Sequence, residues 1–252
     1  MTDAADAHTA VMSLKGRRIV ISGGSTGIGR AIAVLLASEG ARVFIGGTDQ
    51  GHIDDALARI REVGEGGGIA LDLAEEANVG RFLDAASAEM GGYDAVVANA
   101  AIGAGGVTEM DEAKLRRAIA LNFTQYLLLS HAAAKELGED GDIVLVGSMS
   151  AYVLGPHSTV YAGIKAGLQG FSVALRRELG PKGIRVALVE PGLTGSDMQL
   201  PDIPPDEQAE MIRAEKMLRA EDIAVGVHYL LTQPRRAVIQ RLTISPRVQD
   251  EE

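Results

Sequence analysis

Short apolar runs alternate along the chain with longer segments in which apolar residues recur every three or four positions. The short runs, rich in β-branched residues, predict strands at 17–22, 41–46, 68–71, 95–99, 142–147, 184–190 and 240–245. The longer segments predict helices at 27–38, 53–63, 74–90, 112–137, 160–179 and 221–231. The glycine cluster at 64–68 is predicted to be a loop. Strands that alternate with helices in this way are typical of a parallel sheet.

The predicted strands are apolar on both faces. Residues 143–146 and 186–189 are apolar without a break, as expected of strands that helices cover on both sides. The sequence therefore predicts one doubly wound α/β domain over residues 14–252, preceded by a flexible tail at 1–13. A proline-broken excursion at about 193–217 is predicted to cover a substrate. Ligands of such sheets bind at the carboxyl ends of the strands, where the candidate chemistry is expected.

The composition narrows the classes of function. With 46% hydrophobic residues among 252, the chain can bury a large core, and its net charge of −10 argues against nucleic acid or an anionic membrane as partners. Cysteine is absent and the five histidines are scattered, so neither thiol chemistry nor a metal site is predicted. No apolar run could span a membrane and no secretory signal opens the chain, so we expect a cytoplasmic location.

A glycine-rich turn follows the first strand and opens the first helix. Gly23 permits a tight turn, Gly27 lets the backbone approach a pyrophosphate, and Gly29 lets the helix pack closely on the strand. The start of the helix then offers free N–H groups to the phosphates. Three further residues of this turn are candidate cofactor contacts, namely Ser25, Thr26 and Ile28. The turn predicts a Rossmann-like, dinucleotide-binding domain.

A serine, a tyrosine and a lysine form a second motif. Ser148 follows the fifth strand, Tyr161 lies 13 residues further on, and Lys165 shares a helical face with Tyr161. Reduction of a carbonyl by hydride needs a proton donor. A tyrosine, with an ordinary pKa of about 10, can serve when a nearby ammonium lowers that pKa. Lys165 provides the ammonium, and Ser148 can hydrogen-bond the substrate oxygen.

Taken together, the Gly-x3-Gly-x-Gly turn and the Ser and Tyr-x3-Lys pattern resemble the short-chain dehydrogenase/reductase family from about residue 14 to the last strand. The resemblance implies an NAD(P)-dependent oxidoreductase that interconverts an alcohol and a carbonyl, with Ser148, Tyr161 and Lys165 as catalytic residues. Asn122 matches the family's fourth catalytic residue, which shapes a helix kink whose backbone carbonyl holds a proton-relay water. The alternative for Asn122 is a core amide with its hydrogen bonds satisfied.

The resemblance also implies further contacts to the cofactor. The family's Asn-Asn-Ala-Gly motif corresponds to 98–101, in which alanine replaces the first Asn and the Gly, and the remaining Asn99 is expected near the ribose and adenine. Residues 72–73 match the pair beside the adenine, and 191–192 match the segment beside the nicotinamide. The implied contacts outside the glycine turn are Thr48, Asp72, Leu73, Asn99, Ala100, Ala101, Tyr161, Lys165, Pro191, Gly192, Thr194 and Ser196.

The end of the second strand carries the residues that decide between NAD and NADP. An acidic residue there binds the 2′-hydroxyl of NAD, and a basic residue accepts the 2′-phosphate of NADP. Gly47 stands in the place of the acid and Thr48 in the place of the base, so neither determinant is present. The segments at 218–224, 233–236 and 242–247 resemble a branch of largely NADP-dependent reductases, which favours NADP(H) slightly over NAD(H).

The predicted substrate is a small-molecule alcohol or carbonyl compound, because apolar residues in 149–158 and 193–217 predict an apolar pocket. Two alternatives remain open. One is a reductase of 3-oxoacyl thioesters on a carrier protein, against which the negative charge weighs because carrier proteins are acidic. The other is a non-catalytic protein that senses the cofactor. The resemblance also implies a homo-oligomer, a dimer or tetramer, formed through the helices at 112–137 and 160–179.

Overall fold

The computed structural model describes residues 11–200 and 202–248. Its strands are β1 (Arg18–Ser22), β2 (Arg42–Gly47), β3 (Glu65–Ala70), β4 (Ala95–Ala98), β5 (Asp142–Val146), β6 (Arg185–Pro191) and β7 (Arg241–Ile244). Its α-helices are α1 (Gly27–Ser38), α2 (Gln50–Val63), α3 (Glu76–Met90), α4 (Glu112–Ile119), α5 (Gln125–Glu136), α6 (Thr159–Leu179), α7 (Pro205–Arg213) and α8 (Ala220–Leu231). The strands pair in parallel in the order β3-β2-β1-β4-β5-β6-β7.

Helices cover both faces of this sheet and enclose two cores. One core contains side chains of α1, α2 and α8, and the other contains side chains of α3, α5 and α6. Successive residues of β1 divide between them, since Ile21 lies in the first core and Val20 in the second. The strand order reverses between β1 and β4, so a crevice opens at the carboxyl ends of these two strands. The prediction of a doubly wound, Rossmann-like single domain is confirmed.

The prediction of a loop at 64–68 is wrong for 65–68. Residues 65–68 form most of β3, which pairs with β2 along its whole length, and Gly64 lies between α2 and this strand. A Cβ on Gly66 would lie 2.7 Å from the side chain of Ile60, and a Cβ on Gly68 would lie 2.7 Å from the side chain of Ile45 and 2.9 Å from its carbonyl oxygen. A glycine cluster usually signals a turn. Here it allows an edge strand to pair where its neighbours leave no space for side chains.

The helix predicted at 112–137 is interrupted in its middle. Between α4 and α5, residues Ala120–Thr124 form a π-helical turn that ends with a hydrogen bond from Gln125 N to Ala120 O. Such turns break the regular ladder of backbone hydrogen bonds and frequently mark functional sites. Asn122 lies inside this turn, at the place where the resemblance implies a kink.

Most of the predicted tail at 1–13 lies outside the described residues. Within the described part, Met12 donates its N–H to the carbonyl of Thr232 at 2.7 Å. The excursion at 193–217 contains α7, which begins at Pro205, a favourable first residue for a helix. Among the residues that the structure describes, no helix is long and apolar enough to cross a membrane.

At the amino ends of the strands, three arginines surround one buried carboxylate. Asp142, the first residue of β5, lies 2.6 Å from Arg185 Nε, 2.8 Å from the guanidinium of Arg17 and 3.0 Å from that of Arg235. Arg185 also donates to the carbonyl of Leu231 at the end of α8, at 3.2 Å. This arginine cluster therefore ties β5 and β6 to α8 and to the residue before β1. It lies at the amino ends of the strands, whereas the glycine turn lies at their carboxyl ends.

Candidate active site

The glycine turn after β1 forms a cradle with almost no space for side chains. Gly23 and Gly27 have φ angles of +64° and +50°, in the left-handed region that favours glycine. A Cβ on Gly23 would lie 2.7 Å from Ala100 Cα, and a Cβ on Gly29 would lie 2.0 Å from the carbonyl oxygen of Gly23. Thr26, the N-cap of α1, makes no side-chain cap hydrogen bond. The start of α1 therefore presents backbone N–H groups that suit an anion.

Asn99 holds this cradle from the neighbouring strand. Its Nδ2 donates to the carbonyls of Ser22 and Gly23, both at 3.1 Å. Its backbone N–H and that of Ala100 donate to Ser22 Oγ at 2.9 and 3.1 Å. The Asn99 amide is thus engaged with the backbone of the turn, and Ala101 follows as a partly exposed residue.

We expect Gly29→Ala to weaken cofactor binding by about tenfold or more, because overpacking at such a site typically costs about 1–3 kcal/mol. Titration of NADPH fluorescence measures the affinity. Gly80→Ala in α3 is a matched control, because a Cβ there meets nothing within 4 Å. We expect it to leave the affinity unchanged and to raise the free energy of unfolding by about 0.5–1 kcal/mol. An unchanged affinity in Gly29→Ala would contradict the role of the cradle.

Ser148, Tyr161 and Lys165 come together at the carboxyl end of β5. Ser148 Oγ accepts the N–H of Ser150 at 3.1 Å, and its hydroxyl lies close enough to Tyr161 to lower the pKa of that phenol. Tyr161 and Lys165 lie on one face of α6, with Lys165 Nζ 5.4 Å from the centroid of the Tyr161 ring. Lys165 is 1% exposed and donates to the carbonyl of Val146 at 3.1 Å. The three residues predicted to be catalytic thus share one site.

Burial displaces the pKa values of both ionisable groups of this site. It raises the pKa of Tyr161 to about 12, while the neighbouring Ser148 hydroxyl acts in the opposite direction. Burial lowers the pKa of Lys165 to about 7. Ionisable groups with displaced pKa values that lie together in a cleft are typical of catalytic sites.

Asn122 is fully buried and both ends of its amide are occupied. Its Oδ1 accepts the N–H of Ile102 at 2.8 Å, and its Nδ2 donates to the carbonyl of Ile102 at 2.7 Å. The side chain therefore ties the π-helical turn to the segment after β4. The sequence left two roles open for Asn122, a residue that shapes a helix kink or a core amide with satisfied hydrogen bonds, and the structure shows both features together. The catalytic role of Asn122 stays a prediction.

Asp72 and Leu73 follow β3, two strands away from the cradle. Asp72 accepts the N–H of Ala74 at 3.0 Å and a hydrogen bond from Arg117 at 2.8 Å. Burial alone would raise the pKa of Asp72, but these two donors outweigh it and hold the pKa below its usual range. Leu73 is buried. Asp72 is therefore an ionised acceptor held in one place at the edge of the sheet.

The segment after β6 passes beside the catalytic candidates and reaches the cradle. A Cβ on Gly192 would lie 3.1 Å from Met149 Sδ. Thr194 is buried, and its hydroxyl donates to the carbonyl of Gly192 at 2.9 Å. Ser196 Cβ lies 3.3 Å from the position of a Cβ on Gly27. The predicted cofactor contacts of this segment therefore extend from the site of Ser148 to the glycine turn.

Ser25 fills the space beside Gly47 at the end of β2. A Cβ on Gly47 would lie 2.3 Å from Ser25 Oγ. Thr48, the next residue, is exposed. The carboxylate of Asp49 accepts the N–H of His52 at 2.8 Å and caps α2. An acidic side chain at position 47 does not fit unless Ser25 moves.

The sequence reasoning missed two polar residues of this region. Tyr126 in α5 is fully buried, with its ring centroid 5.2 Å from Lys165 Nζ. Gln208 in α7 accepts the N–H of Ser196 at 3.1 Å, across 12 residues of sequence. The signal for Tyr126 was its position one helical turn after Asn122. Gln208 had no signal, because its partner lies in an irregular segment.

Apolar side chains stay exposed in the loops at this edge of the sheet. This apolar rim comprises Val107, Tyr152, Leu154, Leu193, Met198 and Leu200. The N–H of Val107 donates to Thr159 Oγ1 at 2.9 Å, and His157 Nδ1 lies 2.7 Å from Glu109 Oε1, so the loop after β4 contacts the start of α6. Exposed apolar surface beside a polar site is typical of a binding site. Within the described ranges, no group of histidine and acidic side chains could hold a metal ion.

Comparisons with known proteins identify the family of this chain. The model of the family described as short chain dehydrogenase matches residues 17–205. The cis-4-hydroxycyclohexanecarboxylate dehydrogenase of Sinomonas cyclohexanicum is 31% identical over 231 residues, which cover 88% of this chain and 92% of the relative. A solved short chain dehydrogenase from Burkholderia cenocepacia J2315 in complex with NADP is 32% identical, with a TM-score of 0.83 over 92% of this chain and 98% of that chain.

A second solved structure is similar in fold. It is a blue fluorescent protein from a metagenomic library in complex with NADPH, 26% identical, with a TM-score of 0.82 over 93% of this chain and 98% of that chain. The fold, the site and the matches define an oxidoreductase built on a Rossmann-like sheet. The chain belongs to the short-chain dehydrogenase family. The predicted family and the predicted class of enzyme are therefore confirmed.

Proposed function

We propose that the protein interconverts an alcohol and a carbonyl compound by hydride transfer with NADP(H). The observation that carries the proposal is the convergence of three side chains at the carboxyl end of β5: the Tyr161 phenol, the Ser148 hydroxyl that lowers its pKa, and the buried amine of Lys165, 5.4 Å from the centroid of the Tyr161 ring. A phenol, a hydroxyl and an amine at one site can supply a proton donor, a group that binds oxygen, and a charge that tunes the donor.

Tyr161 is the proposed general acid and base. In carbonyl reduction its hydroxyl gives a proton to the substrate oxygen, and in alcohol oxidation its phenolate removes that proton. Ser148 donates a hydrogen bond to the same oxygen and holds it within reach of Tyr161. Lys165, once protonated, favours the phenolate and lowers the pKa of Tyr161 from about 12. Asn122 is the fourth proposed catalytic residue, and its part is to shape the π-helical turn.

The residues present fit a nicotinamide dinucleotide. The cradle leaves no space for a Cβ at Gly29, and the start of α1 carries no side-chain cap, both of which suit a pyrophosphate. When bound, the nicotinamide supplies or accepts the hydride. The proposed contacts of this chain are the glycine turn and the residues after β3, β4 and β6 described above.

The proposed form of the cofactor is NADP(H). Position 47 carries glycine, so the NAD-type acid is absent, and an acidic side chain there would fit only if Ser25 moved. The carboxylate of Asp49 caps α2, and the hydroxyls of Ser25 and Thr48 can donate to a 2′-phosphate. The NADP and NADPH bound by two solved relatives support this preference.

We expect kcat/KM to be at least about tenfold higher with NADPH than with NADH, since a hydrogen bond to a charged group contributes about 1.5–3 kcal/mol. Thr48→Arg should raise this ratio by about tenfold more, because a guanidinium binds phosphate through two hydrogen bonds. Initial rates with both cofactors measure the ratio. Thr48→Ser keeps the hydroxyl and is the control. A wild-type ratio below one would contradict the preference.

The proposed substrate has an apolar body around its reacting carbon. The apolar rim offers exposed aliphatic side chains such as Leu154 and Leu193, and the flexible Met198 can adapt to different shapes. The relative from Sinomonas cyclohexanicum is named for a compound with a secondary alcohol on a six-membered ring. Cyclic secondary alcohols and the corresponding ketones are therefore the first compounds to test.

The function is tested by incubating the purified protein with NADPH and a series of cyclic ketones of increasing apolar size. Loss of NADPH absorbance is the measurement, and a 3-oxoacyl thioester on a carrier protein is included. We expect ketone turnover that increases with apolar size. If only the carrier-bound thioester were turned over, the protein would be the reductase of 3-oxoacyl thioesters that the sequence left open as an alternative. If neither NADPH nor NADH binds, the proposal is wrong.

We also propose a homo-oligomer formed through α5 and α6. Val173 of α6 is exposed, and Leu127 and Leu128 of α5 are only partly buried, so both helices offer apolar surface. Light scattering coupled to size exclusion should give the mass of a dimer or a tetramer. A monomer at micromolar concentration would contradict this assignment.

A further inference from the structure

The amine of Lys165 lies over the rings of two tyrosines. Its Nζ is 5.4 Å from the ring centroid of Tyr161 and 5.2 Å from that of Tyr126. Tyr161 belongs to the same helix as Lys165, whereas Tyr126 comes from α5, just after the π-helical turn. An ammonium within about 6 Å of an aromatic ring is attracted by the negative face of that ring, and the attraction strengthens where water is excluded. Lys165 is 1% exposed and Tyr126 is fully buried.

The hydroxyl of Tyr126 and the amine of Lys165 also share one acceptor. Both donate to the carbonyl oxygen of Val146, the last residue of β5, each at 3.1 Å. This carbonyl has two lone pairs, and the two donors can occupy one each. Val146 lies two residues before Ser148, so the shared acceptor belongs to the strand end that carries the site. Tyr126 thus contacts Lys165 through its ring and through a common partner.

We propose that Tyr126 is a positioning residue that holds Lys165 in place and stabilises its ammonium form, and thereby tunes Tyr161. The inference rests on the proposed function, in which Tyr161 exchanges a proton with the substrate. Tyr126 itself does not touch the substrate. Its effect passes through Lys165, because the charge on that amine sets how readily the Tyr161 phenol ionises.

The surroundings of Lys165 give the ring of Tyr126 an electrostatic role. The groups that face the amine are the phenol of Tyr161 from α6, the phenol of Tyr126 from α5 and the carbonyl of Val146 from β5. Burial disfavours the ammonium and lowers the pKa of Lys165 to about 7. Aromatic faces and a carbonyl are then the groups that oppose this desolvation. Loss of the ring's negative face should lower the pKa of Lys165 further and raise that of Tyr161.

The test replaces Tyr126 by phenylalanine and by its 3,5-difluoro and 3,4,5-trifluoro derivatives. Fluorine withdraws charge from the face of the ring with little change in volume, so the series changes electrostatics while packing is kept. Cofactor-free protein labelled with 13C-lysine is titrated by NMR. The Lys165 Cε resonance is assigned by its loss in Lys165→Met. The pH midpoint of alcohol oxidation is measured on the same variants with cofactor.

We expect Tyr126→Phe to keep the Lys165 pKa within about 0.3 unit, because the ring remains. From phenylalanine to the trifluoro derivative the Lys165 pKa should fall by about 0.5–1 unit. The midpoint of alcohol oxidation should rise in the same order. The matched control places the same residues at Tyr93, a buried tyrosine just before the amino end of β4, at the end of the strands away from the active site. This control should shift neither titration.

An unchanged Lys165 titration across the Tyr126 series would overturn the inference, as would equal shifts in the Tyr93 series, which would indicate a general effect on packing. The failure of the proposed function is detected separately. It appears as full activity of Tyr161→Phe, whereas the NMR titration of Lys165 needs neither substrate nor cofactor.

Discussion

Tyr161→Phe should lower kcat by about 10³-fold, since a positioned general acid or base contributes roughly 10²–10⁴. The substitution removes only the hydroxyl of Tyr161, so the ring stays against Lys165 and the packing of α6 is kept. The affinity for NADPH should stay within about threefold, because the cradle and α1 are untouched and contribute most of the phosphate contacts. Steady-state rates and NADPH fluorescence measure the two quantities.

Tyr229→Phe is the control for this experiment. Tyr229 is an exposed residue of α8, and removal of its hydroxyl should leave both kcat and cofactor affinity unchanged. If Tyr161→Phe kept wild-type kcat with a good substrate, another group would have to move the proton and the assignment of Tyr161 would fall. If it lost cofactor binding as well, the loss of activity would report on structure rather than on proton transfer.

The same assignment sets the sign of the pH dependence. Carbonyl reduction needs the protonated phenol of Tyr161, so its rate should fall as the pH rises. Alcohol oxidation needs the phenolate, so its rate should rise with pH. Burial places the pKa of Tyr161 at about 12 and that of Lys165 at about 7. Because an ammonium beside the phenol favours the phenolate, Lys165→Met should move the oxidation profile towards higher pH.

Asp142→Asn should lower the free energy of unfolding by about 3–5 kcal/mol, the usual cost of removing one partner from a buried ion pair. The loss leaves Arg185 buried beside a neutral amide, while Arg17 and Arg235 lose the carboxylate that separates the three positive charges. For a domain of this size the melting temperature should fall by about 10 °C. Thermal and urea unfolding measure the effect.

Asp140→Asn is the matched control for the arginine cluster. Asp140 pairs with Arg235 at 3.1 Å, but its side chain is 88% exposed. Exposed ion pairs contribute about 0–1 kcal/mol, so the melting temperature should change little. The cluster lies at the amino ends of the strands and the active site at their carboxyl ends. The Asp142→Asn variant should therefore keep the wild-type kcat at temperatures where the variant is folded. Equal stability of Asp142→Asn and wild type would show that the remaining polar groups satisfy the three arginines.

The sequence predicted the elements that depend on local pattern. The strands and most helix ends follow from apolar runs and helical spacing, and the crevice follows from parallel strands whose carboxyl ends share one edge. The pattern gave the wrong prediction at 65–68, because a glycine cluster usually indicates a turn. Whether glycines pair as a strand depends on the space that Ile60 and Ile45 leave, and these residues belong to a helix and a strand elsewhere in the chain.

The candidate site was predictable to the same extent. Tyr161 and Lys165 are one helical turn apart, so their proximity is a property of α6 alone. The position of Ser148 near these two residues follows from the parallel sheet alone, because Ser148 comes just after the carboxyl end of β5. In contrast, the position of Tyr126 against Lys165 depends on how α5 packs beside α6, and the contact between Ser196 and the cradle depends on the path of the segment after β6.

By itself, therefore, the sequence determined the doubly wound sheet, the glycine turn and the Ser, Tyr and Lys set, because each depends on spacing along one segment and on the period of one element. Only the tertiary structure decided that Ser25 fills the space beside Gly47, that the ring of Tyr126 lies against the same amine as the ring of Tyr161, and that three arginines converge on Asp142. Each of these joins side chains from separate elements, and their energies depend on burial, which no local pattern specifies.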